Sequence, residues 1–381
     1  MMKPIKVCHI VNLITGQADG VYTHLKMIFK NYDKDKFEHI LIFQGGEKIE
    51  KEVRELGVKV FTSESLKKKI SLRAFSDINS IIDFEQIDII HAHLIKPYAI
   101  AGLINIFLKK KFIFNYHGIF LKNNPYYNFI ERSIYSVIHY LIHLLSKVDA
   151  VLVQSKMSKQ LLMEETKLFP EPIVYYNSYS PRQYFSGVNA NIVQRIEELK
   201  KYKRIIAVVG RLEVDKRIDR AIMLIRSLVD QQKNVHLLIF GDGSLKNKMD
   251  QLVQQHKLKD SVDIFGYVEE VEGYYKYFDL VLFTSDWEGM PLTMWEAMAN
   301  EVPVVAPDVG GFKEILEENK CGLIYEPGNL KDAEDKLILL LEDVQLRKRM
   351  GINGREAIES NYTEKKFIQQ IEKVYTNLMD E

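Results

Sequence analysis

Two glutamates beside a helix pattern form the group of residues with the clearest chemical meaning. Glu288 lies in a polar loop after the apolar run 281–283, and Glu296 follows with seven residues between the two. Pro291 opens the helix pattern, where its missing N–H would be unpaired in any case. Free N–H groups at such a helix start favour a phosphate, and carboxylates beside a phosphate suit hydroxyl groups. This stretch therefore predicts a site for a sugar joined to a nucleoside through a diphosphate.

A second stretch, GRLEVDK at 210–216, supplies two cations directly after a predicted strand. Arg211 can bind phosphate oxygens with its planar fork, and Lys216 is a point charge. Together they would neutralise the charge that grows on a diphosphate leaving group. They would do the work of a magnesium ion, so we predict no metal and no bound cofactor. The neighbouring triplet 286–288 superficially resembles a metal-binding acidic group, but its place before a phosphate-binding helix favours sugar contact.

The stretch EGMPLTMWEAMA at 288–299 is similar to the E-x7-E signature of retaining glycosyltransferases of the GT-B fold, in particular glycosyltransferase family 4. The resemblance implies that Glu288 accepts hydrogen bonds from the transferred sugar and Glu296 from the ribose. It also implies that Arg211 and Lys216 hold the diphosphate, and that a donor phosphate oxygen takes the acceptor's proton. Considered alone, the stretch could instead be an amphipathic helix with a solvated glutamate.

Weaker matches to the same family add glycines and a base-binding loop. Gly241 stands in a glycine turn after a predicted strand, and Tyr267 and Val268 follow the matching glycine of a later one. Near the N-terminus the family usually has adjacent glycines where this chain has Asp19 and Gly20, which leaves Gly20 as the candidate. The predicted donor contacts are Gly20, Gly210, Arg211, Lys216, Gly241, Tyr267, Val268, Glu288, Gly289, Met290, Pro291, Leu292 and Glu296.

Three histidines of the first half stand at the ends of predicted strands. His117 follows strand 112–115, and the family has a histidine in the matching loop that touches the donor sugar. We therefore predict His117 as a catalytic residue together with Glu288, Arg211 and Lys216. His91 and His93 end strand 87–91 and could orient the acceptor or the sugar, with His93 the candidate for acceptor binding. They could also be a metal pair, but the sequence shows no third ligand at useful spacing.

Alternating strand and helix patterns must position these residues. In the first half they predict strands at 6–12, 37–43, 58–61, 87–91, 112–115, 150–154 and 172–176. In the second half they predict strands at 204–209, 235–240, 262–265, 280–283, 302–306 and 321–325. Such alternation indicates parallel sheets covered by helices, with the binding edge at the carboxyl ends of the strands.

A chain of 381 residues is long enough for two domains. The turn-like stretch after residue 177 predicts the boundary, with an N-terminal acceptor domain at 1–178 and a C-terminal donor domain at 179–364. The resemblance implies the α/β GT-B fold, in which two Rossmann-like, doubly wound domains face each other across a cleft. It also implies that the last helix, about 365–381, packs back on the first domain.

Composition excludes several classes of protein. The formal net charge is zero, so no nucleic-acid partner is predicted. The N-terminus reads as a strand and lacks the pattern of a secretory signal, and the longest apolar run, 97–108, is too short to span a bilayer. Cys8 and Cys321 lie in predicted strands, which is typical of reduced core thiols. These features predict a cytoplasmic protein.

Two basic stretches, 65–73 and 108–112, lie in the first half. They could attract anionic lipid or a phosphorylated acceptor, or they could be ordinary solvated loops. In the first case the protein would make peripheral contact with the inner face of a membrane.

Three other functions stay open at this point. The chain could be a GT-B nucleotide-sugar epimerase or a glycan phosphorylase, or it could bind sugar nucleotides or glycans without catalysis. A nicotinamide dehydrogenase would need G-x-G-x-x-G after the first strand, and the stretch NLITGQADG lacks that spacing. The resemblance favours a UDP-sugar donor and a glycan, lipid-linked or cell-surface polysaccharide acceptor.

Overall fold

The structure, a computed structural model, describes residues 3–14, 20–67, 72–117, 128–165, 169–180 and 187–380. It divides into two compact units. Unit 1 comprises Met1–Asn177 and Glu364–Glu381, and unit 2 comprises Ser178–Thr363. The division lies one residue from the boundary at 178 that the sequence predicts.

Unit 1 contains a parallel sheet. In its described residues the sheet has seven strands in the order β3-β2-β1-β4-β5-β6-β7. They are β1 (Ile5–Ile10), β2 (Phe37–Phe43), β3 (Lys59–Thr62), β4 (Ile89–His93), β5 (Lys111–Tyr116), β6 (Ala150–Val153) and β7 (Ile173–Val174). The central strands are buried along most of their length, as expected for a parallel sheet with both faces covered.

Six helices connect these strands: α1 (Gly20–Asn31), α2 (Glu47–Glu55), α3 (Leu72–Phe84), α4 (Ile95–Leu108), α5 (Phe129–Leu145) and α6 (Lys156–Glu165), counted within the described part of unit 1. The chain moves from β1 outward to β3, returns to β4, and then moves outward in the other direction to β7. The strand order therefore reverses between β1 and β4, which is where ligands bind in doubly wound sheets.

Unit 2 repeats this plan. Its described residues form a six-stranded parallel sheet in the order β10-β9-β8-β11-β12-β13. The strands are β8 (Arg204–Val209), β9 (Val235–Phe240), β10 (Val262–Gly266), β11 (Leu280–Leu282), β12 (Val304–Pro307) and β13 (Gly322–Tyr325). The helices are α7 (Ala190–Lys200), α8 (Ile218–Asp230), α9 (Lys246–Gln255), α10 (Leu292–Ala299), α11 (Phe312–Glu318), α12 (Leu330–Glu342) and α13 (Val344–Asn361). Here the order reverses between β8 and β11.

The last helix, α14 (Glu364–Asp380), belongs to unit 1. Its apolar residues Phe367, Ile371 and Tyr375 are buried in the same core as β1 and α1. The hydroxyl group of Tyr375 lies 2.9 Å from His91 Nδ1, so the helix also reaches a polar group inside the sheet.

The two-sheet α/β fold predicted from the sequence is confirmed. Strands β2, β8 and β9 begin and end where the pattern places them. The prediction for β4 is displaced, because the strand covers Ile89–His93 rather than 87–91, and His93 is therefore part of the sheet. Cys8 and Cys321 are both buried free thiols, and burial raises the pKa of each. Within the described residues, no helix combines the length and apolar character needed to cross a bilayer.

Helix α5 packs against α4 through aromatic contacts. The ring of His139 lies between Tyr98 and Phe169, at centroid distances of 5.6 and 4.2 Å. Burial lowers the pKa of His139 from its ordinary value of 6.5 to about 4, and its Nε2 atom has no hydrogen-bond partner among the described residues. The packed α5 therefore requires a neutral imidazole.

This requirement predicts a pH dependence of folding. As the pH falls from 6.5 towards 4, the unfolded chain binds a proton at His139 that the folded chain does not bind, so stability is lost. His139→Phe removes this titrating group. The free energy of unfolding of the variant minus that of wild type should therefore be larger at about pH 5 than at about pH 8. Urea denaturation at both values measures it, with His256→Phe in unit 2 as control. A relative stability independent of pH would contradict the prediction.

Candidate active site

The loops after β8 and β11 meet at the point where the strand order of unit 2 reverses. The two strands are neighbours in the sheet, although they are far apart along the chain. The first loop carries Arg211 and Lys216, and the second carries Glu288. Parallel strands end at the same edge, so this topology brings the two predicted motifs together.

Lys216 and Glu288 form a direct ion pair. Nζ of Lys216 lies 2.8 Å from Oε1 of Glu288. The hydroxyl group of Ser285 donates to the same carboxylate oxygen at 2.7 Å. The side chain of Glu288 is only 7% exposed and that of Lys216 19%. A carboxylate this buried needs such partners, because an unpaired buried charge is strongly unfavourable.

Further hydrogen bonds hold the two loops against each other. The Thr284 hydroxyl group donates to the carbonyl oxygen of Lys216 at 3.0 Å, and the Asp286 N–H donates to the carbonyl oxygen of Asp215 at 2.9 Å. The carboxylate of Asp286 accepts from Arg217 at 3.1 Å and from Arg220. Asp286 therefore serves to attach its loop to α8, which argues against the acidic triplet 286–288 as a metal site.

Glycine turns bring the ends of β8, β9 and β10 close to one another. The N–H of Leu212 donates to Asp242 O at 2.9 Å, and the N–H of Gly241 donates to Gly266 O at 2.7 Å. A Cβ atom at Gly241 would lie 1.8 Å from the carbonyl oxygen of Gly210. A side chain is thus excluded at Gly241, and Gly210 and Gly241 are both partly exposed.

Three predicted contacts beside these turns are accessible to solvent. Arg211 is exposed, and no described residue forms an ion pair with its guanidinium group. Tyr267 is 62% exposed, and Val268 is partly exposed. All three side chains are therefore free to contact a bound molecule.

Helix α10 begins at Leu292, one residue later than predicted. Pro291 is its N-cap, with φ −69° and ψ 134°, rather than its first helical residue. An extended ψ angle leaves the N–H groups of Leu292 and Thr293 at the helix start without partners in the preceding turn. The end formed by Gly289, Met290, Pro291 and Leu292 thus keeps the donors that the sequence predicts.

Glu296 has a partner that the sequence does not indicate. The hydroxyl group of the buried Tyr275 donates to Glu296 Oε2 at 2.8 Å and also lies 3.3 Å from Thr293 O. Burial and then the charge of Glu296 raise the pKa of Tyr275. Glu296 therefore accepts a hydrogen bond from Tyr275, whereas Glu288 is paired with Lys216 and Ser285.

The switch point of unit 1 contains a cluster of histidines. His9 of β1 is paired in register with His91 of β4, and His93 lies two residues further along the same face. His117 follows β5, and its Nε2 lies 3.0 Å from His93 Nδ1. The structure thus brings the predicted residues His93 and His117 together.

Hydrogen bonds link four of these rings into a chain. Gln154 Nε2 lies 3.3 Å from His117 Nδ1, and an amide nitrogen can only donate. His117 Nε2–H then donates to His93 Nδ1, and His93 Nε2–H donates to His9 Nδ1 at 3.0 Å. His9 Nε2–H in turn donates to His39 Nδ1 at 2.8 Å. Burial lowers the pKa of all four rings, so the chain is neutral.

The histidines also form two groups that could hold a metal ion. One contains His9, His91 and His93, and the other contains His24, His93 and His117, with one ligand atom from each ring within 4.8 Å of the others. His91 Nε2 has no hydrogen-bond partner in the described part of the chain. β1 therefore supplies, with His9, a third candidate ligand to His91 and His93 that the sequence spacing does not show, and α1 supplies His24 beside His93 and His117.

Some predictions receive no geometric support. Gly20 begins α1 on the surface, and a Cβ atom there would meet nothing within 4 Å. Asp19 and residues 68–71 of the basic stretch 65–73 lie outside the described residues. Sequence reasoning missed Ser285, Tyr275 and His9. A histidine inside the apolar run of β1 was a signal for the last, whereas nothing in the sequence pairs Tyr275 with Glu296.

The loop after β12 supports the backbone of Glu288. Gly310 has a left-handed φ of +58°, and a Cβ atom there would lie 2.3 Å from Glu288 O and 2.7 Å from Gly289 O. The N–H of Gly311 donates to Gly289 O at 2.9 Å. Only glycine lets the two loops approach this closely.

Comparisons with known proteins give a consistent result for both units. The family "Glycosyltransferase Family 4" matches residues 18–177, and the family "Glycosyl transferases group 1" matches residues 190–357. The capsular polysaccharide biosynthesis glycosyltransferase CapM of Staphylococcus aureus is 23% identical over 404 aligned positions, which cover 100% of this chain and 99% of CapM.

One further relative in sequence and one solved structure are similar to this chain. The poly(ribitol-phosphate) alpha-N-acetylglucosaminyltransferase of Staphylococcus aureus is 29% identical over 195 residues, 51% of this chain and 40% of that protein. The crystal structure of Anabaena Alr3699/HepE in complex with UDP has a TM-score of 0.77 at 17% identity, covering 98% of this chain and all of that one. The structural likeness shows a shared GT-B fold.

Gly310→Ala tests the support of the Glu288 loop. We expect unit 2 to lose about 1–3 kcal/mol of stability, because alanine must adopt a left-handed φ and displace a carbonyl group. Thermal or urea denaturation of the full chain measures this. Gly20→Ala is the control and should have little effect, since its Cβ atom meets no neighbour. Equal stability of the two variants would contradict the role assigned to Gly310.

Proposed function

This chain belongs to the glycosyltransferases of family 4 and group 1, and on that premise we propose that it transfers a sugar from a UDP-sugar with retention of configuration. The acceptor is a glycan, a lipid-linked glycan or a cell-surface polysaccharide. The bound UDP of the structural neighbour from Anabaena supports this donor, and the names of the two Staphylococcus relatives support a polymeric acceptor.

The observation that carries the proposal is the ion pair of Lys216 and Glu288 beside the exposed Arg211. In the free enzyme Glu288 neutralises Lys216. When the donor binds, its diphosphate would share Lys216 and engage Arg211, while Glu288 would turn to a sugar hydroxyl group. Charge that develops on the leaving diphosphate would then be met by cations already in place.

The remaining donor contacts follow from the same edge of unit 2. The first N–H groups of α10, near Gly289, Met290, Pro291 and Leu292, suit a phosphate. Glu296, held by Tyr275, would accept from the ribose hydroxyl groups. Gly210 and Gly241 would allow the backbone near the nucleotide, and Tyr267 and Val268 would contact the base.

We assign the acceptor to unit 1. His117 would contact the transferred sugar and His93 the acceptor, and each contact would replace a hydrogen bond of the chain that links Gln154, His117, His93 and His9. Gly20 stays a predicted donor contact. In this mechanism the acceptor oxygen bonds to the anomeric carbon from the face that UDP leaves, so retention needs no protein nucleophile. A phosphate oxygen of the departing UDP takes the acceptor's proton, so no protein base is needed either. A location in the cytoplasm with peripheral contact to an anionic membrane fits such acceptors.

Two alternatives are distinguished by simple incubations. A nucleotide-sugar epimerase of the GT-B fold would convert the donor when no acceptor is present. A non-catalytic binding protein would bind UDP-sugars in calorimetry and give no turnover with any acceptor. Release of UDP that depends on the acceptor supports the transferase.

Substitution of the cationic pair and the carboxylate tests the donor site. Lys216→Ala, Arg211→Ala and Glu288→Ala should each lower kcat by about 100-fold or more, because the first two remove a cation from the leaving diphosphate and the third removes the group that orients the transferred sugar. Acceptor-dependent UDP release measures this. Lys233→Ala is the matched control, since Lys233 also pairs with a glutamate, Glu342, on the surface of unit 2. Near wild-type transfer by the three site variants would contradict the assignment.

Removal of metal ions tests whether catalysis needs them. We expect UDP release to be unchanged after dialysis against EDTA, because Arg211 and Lys216 replace the cation that other transferases bind. Loss of activity that Mg²⁺ or Zn²⁺ restores would contradict this. His9→Ala and His24→Ala would then show whether the essential ion binds at one of the two histidine groups.

A further inference from the structure

Helix α5 presents an apolar face to solvent along its whole length. Large apolar side chains with exposed fractions between 37% and 83% repeat at intervals of three and four residues, the spacing of one helix face. This outer face of α5 consists of Phe129, Ile130, Ile134, Val137, Tyr140, Leu141, Leu144 and Leu145. A contiguous patch of this kind is uncommon on a soluble surface and marks a binding site.

The opposite face of α5 is packed against the body of unit 1. Ile142 is fully buried, and its side chain occupies the space where a Cβ atom of Gly102 in α4 would lie. His139 contacts Tyr98 and Phe169. The N-terminus is fixed by a capping box, in which Asn128 and Glu131 exchange side-chain to backbone hydrogen bonds. The helix is therefore held in place, and its outer face is left without a partner from the described residues.

Lysines gather at the C-terminal end of this face. The side chain of Asn105 lies 3.4 Å from the Ser146 hydroxyl group and also bonds both backbone groups of Lys110. This contact fixes the segment Lys109, Lys110 and Lys111 beside the end of α5. No ion pair involves these three lysines within the described residues, and Lys109 is exposed. Lys147, 78% exposed, pairs with the buried Asp149 at 3.2 Å.

We propose that the outer face of α5 binds the surface of an anionic lipid bilayer. An amphipathic helix inserts its apolar side chains at the level of the acyl boundary, while adjacent lysines attract acidic headgroups. With 17 residues and charges at Glu131 and Arg132, α5 can lie along the interface but cannot span the membrane. The two signals together are what stable peripheral binding requires.

The lysines favour a bilayer over a second copy of the chain. A purely self-associating face needs apolar contact alone, and the lysines at its border would contribute nothing to it. An anionic surface instead gains from both features. The inference rests on the proposed function in one respect, since an enzyme with lipid-linked or cell-surface acceptors would bind a membrane. Vesicle binding itself is measured without sugar transfer.

Flotation of the full chain with vesicles tests the proposal. Wild type should float with vesicles of phosphatidylglycerol and phosphatidylcholine and stay at the bottom with phosphatidylcholine alone. Val137→Ser with Leu144→Ser should weaken binding about tenfold or more, because the inserted apolar area is lost. Lys109→Glu with Lys110→Glu should have a similar effect, since each lysine near an anionic surface strengthens binding about fivefold.

Matched controls come from unit 2. Leu339→Ser with Ile352→Ser removes side chains of comparable exposure, 46% and 48%, and Lys257→Glu with Lys259→Glu makes the same change in net charge. Both should float like wild type. The proposal is overturned if wild type does not bind the anionic vesicles, or if the controls lose binding as much as the α5 variants. It is also overturned if the α5 substitutions convert a dimer into a monomer in the absence of vesicles.

UDP binding, followed by thermal shift, separates this result from the fate of the proposed function. A variant that loses vesicle binding but keeps its UDP-induced shift and the circular dichroism spectrum and urea denaturation of wild type has both units folded, so the loss belongs to the surface of α5. Vesicle binding by a protein that shows no transfer would support the surface and reject the enzyme.

Discussion

The ion pair of Lys216 and Glu288 is the constraint on which the site of unit 2 depends. Its two residues are 72 positions apart in sequence, and they meet only because β8 and β11 are neighbours at the reversal of strand order. The buried carboxylate of Glu288 is compensated by a cation and a hydroxyl donor. The loops must therefore keep one conformation, and the hydrogen bonds from Thr284 and Asp286 maintain it.

Close backbone contacts hold the loops at the carboxyl-end edge of the unit 2 sheet without placing side chains between them. The turn at Gly241 lies against Gly210, and Gly310 lies against Glu288, at distances that exclude any side chain. Consequently the edge is formed by peptide groups, with Arg211 and Tyr267 exposed beside it. A site of this composition offers backbone N–H groups and a guanidinium group as hydrogen-bond donors.

How far the sequence predicts this arrangement depends on whether a contact is local. Continuous apolar runs such as VHLLIF locate β9, and the spacing of Glu288 and Glu296 indicates a loop and a helix. The placement of Pro291 was wrong by one position, since proline suits both the N-cap and the first helical turn. The bond between Tyr275 and Glu296 joins residues on different elements, so no local pattern contains it. The exposed face of α5 was missed because periodicity shows a face but not what covers it.

The two units share a doubly wound topology but have different residues at the reversal of strand order. At the reversal point of unit 2, Val281 is paired in register with Ala207, which is the usual apolar choice. At the equivalent point of unit 1, His9 is paired with His91. Buried imidazoles cost stability unless every nitrogen is bonded, and His39 Nε2 and His91 Nε2 have no partner within the described residues. A core selected for stability alone would use valine here. Unit 1 therefore keeps buried polar groups, at a cost in stability, beside the reversal of strand order where doubly wound sheets bind ligands.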